Sequence, residues 1–241
     1  MLDDIRSRFK LELGSVLALA VIAAGLFVFV RIADEVVEGD THGFDQKILL
    51  ALRTPGDLAN PIGPPWLEGV MKDLTSLGSF TVLTILTLSA ILYLVLDGKR
   101  GAAALTAASI GGGTLLSGLL KMSFDRPRPD LVAHLVDVHT LSFPSGHAMM
   151  SAVTYITLGA LLARVSAKRR IKVFIVGLGI LLAVVVGASR IYLGVHWPTD
   201  VLAGWAVGAA WAMLCWEVAR MLQRRGAVER EPEEGVPESA T

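Results

Sequence analysis

The chain has 241 residues, 53% of them hydrophobic and 18% charged, with a mean hydropathy of +0.59. That composition excludes a disordered chain and an ordinary soluble domain. Its 22 Lys and Arg balance 22 Asp and Glu, so no overall field points to nucleic acid, and a single cysteine, Cys215, excludes an internal disulfide or a cysteine-based zinc site.

A membrane helix needs about 20 mostly apolar residues. Six stretches meet or approach that length: 13–30, 74–96, 101–120, 142–163, 173–189 and 198–218. Ahead of the first, Arg6, Arg8 and Lys10 beside Asp3, Asp4 and Glu12 read as a cytoplasmic leader. The first apolar stretch is too long for a signal-peptide core. Arg31, Ile32, Ala33 and Asp34 follow it rather than a small-x-small cleavage site, so it reads as an uncleaved span. In 43–54, Phe44, Ile48, Leu49 and Leu52 recur at helical spacing and predict a short helix lying on the membrane surface. Pro55, Pro61, Pro64 and Pro65 predict turns. Residues 66–79 predict an interfacial helix leading into span two, with Trp66 at headgroup level. Residues 97–101 read as a tight turn between spans two and three. The segment 223–241, rich in Glu and Pro, predicts a disordered cytoplasmic tail. The expected fold is all-α: an integral membrane protein with six transmembrane helices and short interfacial helices in the first outer loop. Residues 1–65 hold the first span and that loop, and 66–222 the core.

Charged and polar groups at the edge of a membrane are costly, and their usual reason is function. Lys121, Arg126, Arg128, Ser145 and His147 crowd the loop between spans three and four. Pro127 and Pro129 stiffen the backbone around Arg128. Arg presents a planar fork to phosphate oxygens and Lys a point charge, and Arg190 at the end of span five adds another fork. Arg126 reads as an extra cation for a second phosphate. In Pro144-Ser145-Gly146-His147, Ser145 is a helix N-cap and Gly146 lets backbone approach a ligand. A helix N-terminus suits an anion. His196 and Asp200 flank the start of span six, close enough for the carboxylate to orient the imidazole as a nucleophile or base. His42, His134 and His139 read as surface residues. No HExxH or carboxylate cluster calls for a metal, and no cofactor is expected.

Span parity puts both polar loops on one membrane face. With the N-terminus inside, fourteen of the 22 Lys and Arg fall on inner segments; half of the remaining eight belong to the proposed site. That positive-inside bias puts both termini in the cytoplasm and the site outside, facing the periplasm or exterior.

Lys121-x6-Arg128-Pro129, Pro144-Ser145-Gly146-His147 and Ser189-Arg190-x5-His196-x3-Asp200 together resemble the three-part signature of the type 2 phosphatidic acid phosphatase superfamily. This resemblance implies a membrane lipid phosphatase of the bacterial undecaprenyl-pyrophosphate or phosphatidylglycerophosphate phosphatase type. In it, His196 would attack phosphorus, Asp200 would orient it, and His147 would protonate the leaving oxygen. Lys121, Arg128, Ser145, Gly146 and Arg190 would hold the phosphoryl oxygens, with no metal. The expected partners are a membrane lipid substrate and the bilayer, in a cell inner membrane. A phosphotransferase of the same fold, or a non-catalytic lipid-phosphate binding or transport protein, are the alternatives; a mere binder has no need of His196 with Asp200.

Overall fold

The computed structural model describes residues 2–138, 140–163 and 168–226. Its elements are α1 (Leu2–Glu38), α2 (His42–Ala51), β1 (Arg53–Thr54), β2 (Asp57–Pro61), α3 (Pro65–Ser76), α4 (Phe80–Leu96), α5 (Arg100–Ser123), α6 (Gly146–Ala163), α7 (Arg169–Tyr192) and α8 (Pro198–Arg224). The strands form a small antiparallel hairpin, where the prolines had suggested only turns. The tail segment 227–241 and His139 lie outside the described residues, whereas 223 and 224 continue α8.

Among the described residues, five helices are long and apolar enough to cross a membrane alone: Gly14–Glu38 of α1, and α5, α6, α7 and α8. The expected second span is broken. α3 ends at Ser76, α4 starts at Phe80, and the two meet at 45°. A sixth span exists only if this bent pair is counted as one, because the 17 residues of α4 rise only about 26 Å. The break has a local cause: Ser79 is extended and its hydroxyl caps α4 by accepting the Val82 N–H at 3.3 Å. α4 ends as the turn at 97–101 predicts, on Gly98 at φ +75°.

Side chains facing out of the bundle are large and apolar; Phe27, Leu115 and Phe174 are each about two-thirds exposed. Such a surface suits lipid, not water. Inside, α6 packs against both α7 and α8, and α1 covers α8. α6 and α8 approach on backbone. A Cβ at Gly204 would sit 2.7 Å from the Ser145 carbonyl oxygen, and one at Gly208 2.7 Å from that of Met149. Small residues four apart are what close membrane-helix packing requires.

The C-terminal ends of α5 and α7 and the N-terminal ends of α6 and α8 gather at one end of the bundle. The hairpin and α2 cap that end. Leu49 of α2 is buried with Val132 and Trp197, and Arg53 donates to the Tyr192 carbonyl at 3.0 Å. α2 therefore differs from the surface helix expected at 43–54. Phe44 stays exposed, while Asp45 and Leu49 are fully buried against the start of α8.

Candidate active site

His196 stands in the short connection between α7 and α8. The turn that delivers it needs glycine at 194. The backbone there has φ +77°, and a Cβ would lie 2.5 Å from Arg53 Nη2 and 2.7 Å from the Ala133 carbonyl. Pro198 starts α8, and Asp200 in its first turn reaches back to the Trp197 N–H at 2.9 Å. The same Oδ2 lies 3.3 Å from His196 Nδ1 and accepts the Ser142 hydroxyl. The other face of the ring system meets Arg128, whose Nη1 is 3.2 Å from Nε2. A guanidinium only donates, so Nε2 must carry the lone pair and Nδ1 the proton. The ring is 1% exposed. Burial pushes its pKa down to about 3, against the opposing hydrogen bond and charge of Asp200 and with support from Arg128 and Arg190. The imidazole is therefore neutral, with its free nitrogen aimed at the cations.

Those cations are held in place by main chain. Arg128 donates through Nε to the Thr140 carbonyl at 2.7 Å and through Nη1 to the Val195 carbonyl at 2.6 Å. Burial lowers its pKa, with Asp200 opposing; a guanidinium stays charged regardless. Lys121 Nζ donates to the Leu141 carbonyl at 2.8 Å, and Thr140 Oγ1 lies within reach of both Lys121 and Arg128. Arg190 is 4% exposed; its Nη1 donates to Thr75 at 3.1 Å, while its buried Nε has no partner. A buried cation with an unpaired donor is what an anionic ligand satisfies.

The start of α6 closes the site. Ser145 is fully buried, its N–H donates to the Asp200 carbonyl at 3.0 Å, and its hydroxyl accepts the Ala148 N–H at 3.5 Å, the expected cap. The next N–H groups, of Gly146 and His147, have no helical acceptor. A Cβ at Gly146 would come 3.2 Å from Lys121 Cε, so glycine admits the lysine here. His147 is half-buried and within electrostatic reach of Arg190, His196, Lys121 and Arg128. Its ring makes no hydrogen bond among the described residues. All eight sequence-chosen residues thus meet at one end of the bundle.

Arg126 does not join them. It is buried, and both Nη atoms are taken: Nη1 by Asp200 at 2.6 Å, Nη2 by Asp45 at 2.6 Å. It is a structural cation, not a second phosphate ligand. His42 and His134 are exposed, bonded to the carbonyls of Gly39 and Pro129. Among the described residues no group of three His, Cys, Asp or Glu is placed to hold a metal ion.

The family model described as the PAP2 superfamily matches residues 102–224. The chain belongs to that superfamily. It is 37% identical to phosphatidylglycerophosphatase B of Bacillus subtilis over 153 residues, 61% of this chain and 72% of that protein. It is 41% identical to an undecaprenyl-diphosphatase of Sulfolobus acidocaldarius, over only 29% of that protein. The crystal structure of a transmembrane PAP2-type phosphatidylglycerolphosphate phosphatase from Bacillus subtilis superposes with a TM-score of 0.71 at 28% identity, covering 86% of this chain and 98% of that one. Aquifex aeolicus LpxE gives 0.50 at 28% identity, covering 66% and 88%.

Three contributors to this candidate site carried no sequence signal of their own. Ser142 holds Asp200, Thr140 holds Lys121 and Arg128, and Asp45 holds Arg126. Ser142 and Thr140 sit just ahead of Pro144 and were legible only as loop; Asp45 lies outside the matched segment. The state of His196 is open to measurement. ¹⁵N NMR should find its imidazole neutral and protonated at Nδ1 from about pH 7 down to about pH 5, although a free histidine would be almost fully charged by about pH 5. An imidazolium at about pH 6 would contradict the burial argument.

Proposed function

We propose that this PAP2 protein hydrolyses a lipid phosphate or pyrophosphate through a phosphohistidine on His196, at the outer face of the membrane. The observation that carries the reading is the held imidazole: Nδ1 on Asp200, and an unprotonated Nε2 among Arg128, Lys121 and Arg190. A cationic pocket alone would serve binding; the oriented lone pair serves attack on phosphorus.

In the first step Nε2 forms a bond to phosphorus, and the bond from phosphorus to the lipid oxygen breaks. His147, protonated for this step, gives its proton to the leaving oxygen. In the second step His147 takes a proton from water, whose oxygen attacks the phosphohistidine and returns His196 to its neutral state with release of phosphate. Lys121, Arg128, Arg190, Ser145 and the Gly146 N–H hold the phosphoryl oxygens and stabilise the charge that gathers on them. None of these steps calls on a metal.

A lipid substrate is supported by what lies beside His147. An apolar cavity of about 530 Å³ runs between α4, α5 and α6, lined by Phe80, Leu83, Leu88 and Ile110 and reaching Gly146 and His147. It offers hydrocarbon contact to a chain whose headgroup is in the site. Phosphatidylglycerophosphate, undecaprenyl pyrophosphate and phosphatidic acid are the substrates to compare; the first is the one named for the Bacillus relative. The outward orientation, with both termini on the cytoplasmic side of a bacterial inner membrane, is supported by the positive-inside count over six spans, the bent α3–α4 pair being the second.

Purified protein in EDTA should release phosphate from at least one of these three lipids, and His196→Ala should lower that rate by about a thousandfold or more. Near-wild-type turnover in the variant would sink the covalent route, and loss of wild-type activity in EDTA would sink the metal-free one. For orientation, a cysteine at residue 135 should react with an impermeant reagent from outside intact cells and one at residue 168 should not; the reverse would place the site inside.

A further inference from the structure

Asp45 sits on α2, ahead of the segment that the family model matches, and it is fully buried beside the catalytic apparatus. Its Oδ2 accepts from Arg126 Nη2 at 2.6 Å and the Thr199 hydroxyl at 2.7 Å, and its Oδ1 accepts the Thr199 N–H at 2.9 Å. Arg126 Nη1 in turn donates to Asp200 Oδ1 at 2.6 Å and to Thr199 Oγ1 at 2.8 Å. Thr41 and the Trp197 ring complete the surroundings of the guanidinium. Every polar contact of either carboxylate comes from a donor, so both act as ionised acceptors. One buried guanidinium thus forks between two buried carboxylates.

The charge count of this cluster is unusual. A single Arg–Asp pair would be neutral, and Asp200 would then face His196 with its charge largely cancelled. With Asp45 present, two carboxylates share one cation and one negative charge is left over. When Nε2 bonds to phosphorus, the ring keeps its Nδ1 proton and takes on imidazolium character. The surplus charge lies on the Nδ1 side of the buried ring, opposite Arg128 at Nε2, where burial makes such an interaction strong.

We propose that Asp45 and Arg126 are positioning residues for the nucleophile: the Asp45–Arg126–Asp200 clamp fixes Asp200 against Nδ1 and keeps it anionic toward His196. This rests on the reading of His196 as the nucleophile. It makes α2, which lies ahead of the segment matched by the family model, a working part of the site.

The test uses the full chain in detergent micelles, with kcat and KM measured on whichever of phosphatidylglycerophosphate, undecaprenyl pyrophosphate and phosphatidic acid the wild type turns over best. Asp45→Asn keeps shape and removes the charge; Arg126→Lys keeps the charge and removes the fork. Both should lower kcat by about ten- to hundredfold, as for other groups that orient a working histidine through a neighbour, with KM within about threefold. Leu49→Val, on the same buried face of α2 but without a polar role, controls for loosened packing. At an equal loss of Tm it should keep kcat within about twofold. Wild-type kcat in Asp45→Asn, or a loss that Leu49→Val matches at equal Tm, overturns the clamp while leaving His196 in place, provided His196→Ala is inactive in the same series. A wild type inactive on all three lipids removes the phosphatase reading and the clamp with it.

Discussion

The hydrogen bond between Asp200 and His196 is the contact on which the rest of this end of the molecule depends. A carboxylate buried without partners would be prohibitively costly, so Asp200 must be surrounded by donors. It collects them from separate parts of the chain: Ser142 ahead of α6, Arg126 after α5, and His196 with the Trp197 N–H ahead of α8. Satisfying this one side chain therefore draws both ends of the α5–α6 loop onto the α7–α8 connection. Its backbone carbonyl takes the Ser145 N–H, which ties the start of α6 to the start of α8. The cradle for an anion and the imidazole that faces it are assembled by the same set of bonds.

The bundle serves that assembly by letting backbones approach. Gly204 and Gly208 seat α8 directly on the α6 carbonyls of its first turns, which sets how close the two helix N-termini stand. On the other side, the break between α3 and α4 brings Gly78 against the His147 ring, where a Cβ would lie 3.3 Å from Cδ2 and 2.3 Å from Val186. An unbroken helix through 74–96 would lack this close, side-chain-free passage. The break also leaves α4 leaning on α5 and α6 around the apolar cavity that reaches His147.

Much of the site was legible in the sequence because its chemistry is local. Ser145 at a helix start, Pro198 opening α8, and the four-residue step from His196 to Asp200 each specify geometry within one turn. Span parity then puts those turns on a common face. What was not legible depends on long-range partners. Arg126 and Arg128 stand two apart between prolines and look alike in sequence. Only the fold sends one guanidinium to Thr140 and Val195 and the other into a buried pair of carboxylates. Asp45 lies in the segment 43–54, whose helical apolar pattern suggested a surface helix. Its burial follows from a cation 81 positions away. The break in the second span was not legible because hydropathy runs smoothly across 74–96, while the break comes from capping by Ser79 and from packing at Gly78.

The central claim is covalent: phosphorus passes through His196. The most direct measurement is to quench turnover of a ³²P-labelled lipid phosphate in alkali, which preserves phosphohistidine, and locate the label by peptide mapping. The account predicts phosphate on His196 alone, formed in wild type and absent in His196→Ala. Turnover with no protein-bound phosphate, or label on another residue, would contradict it.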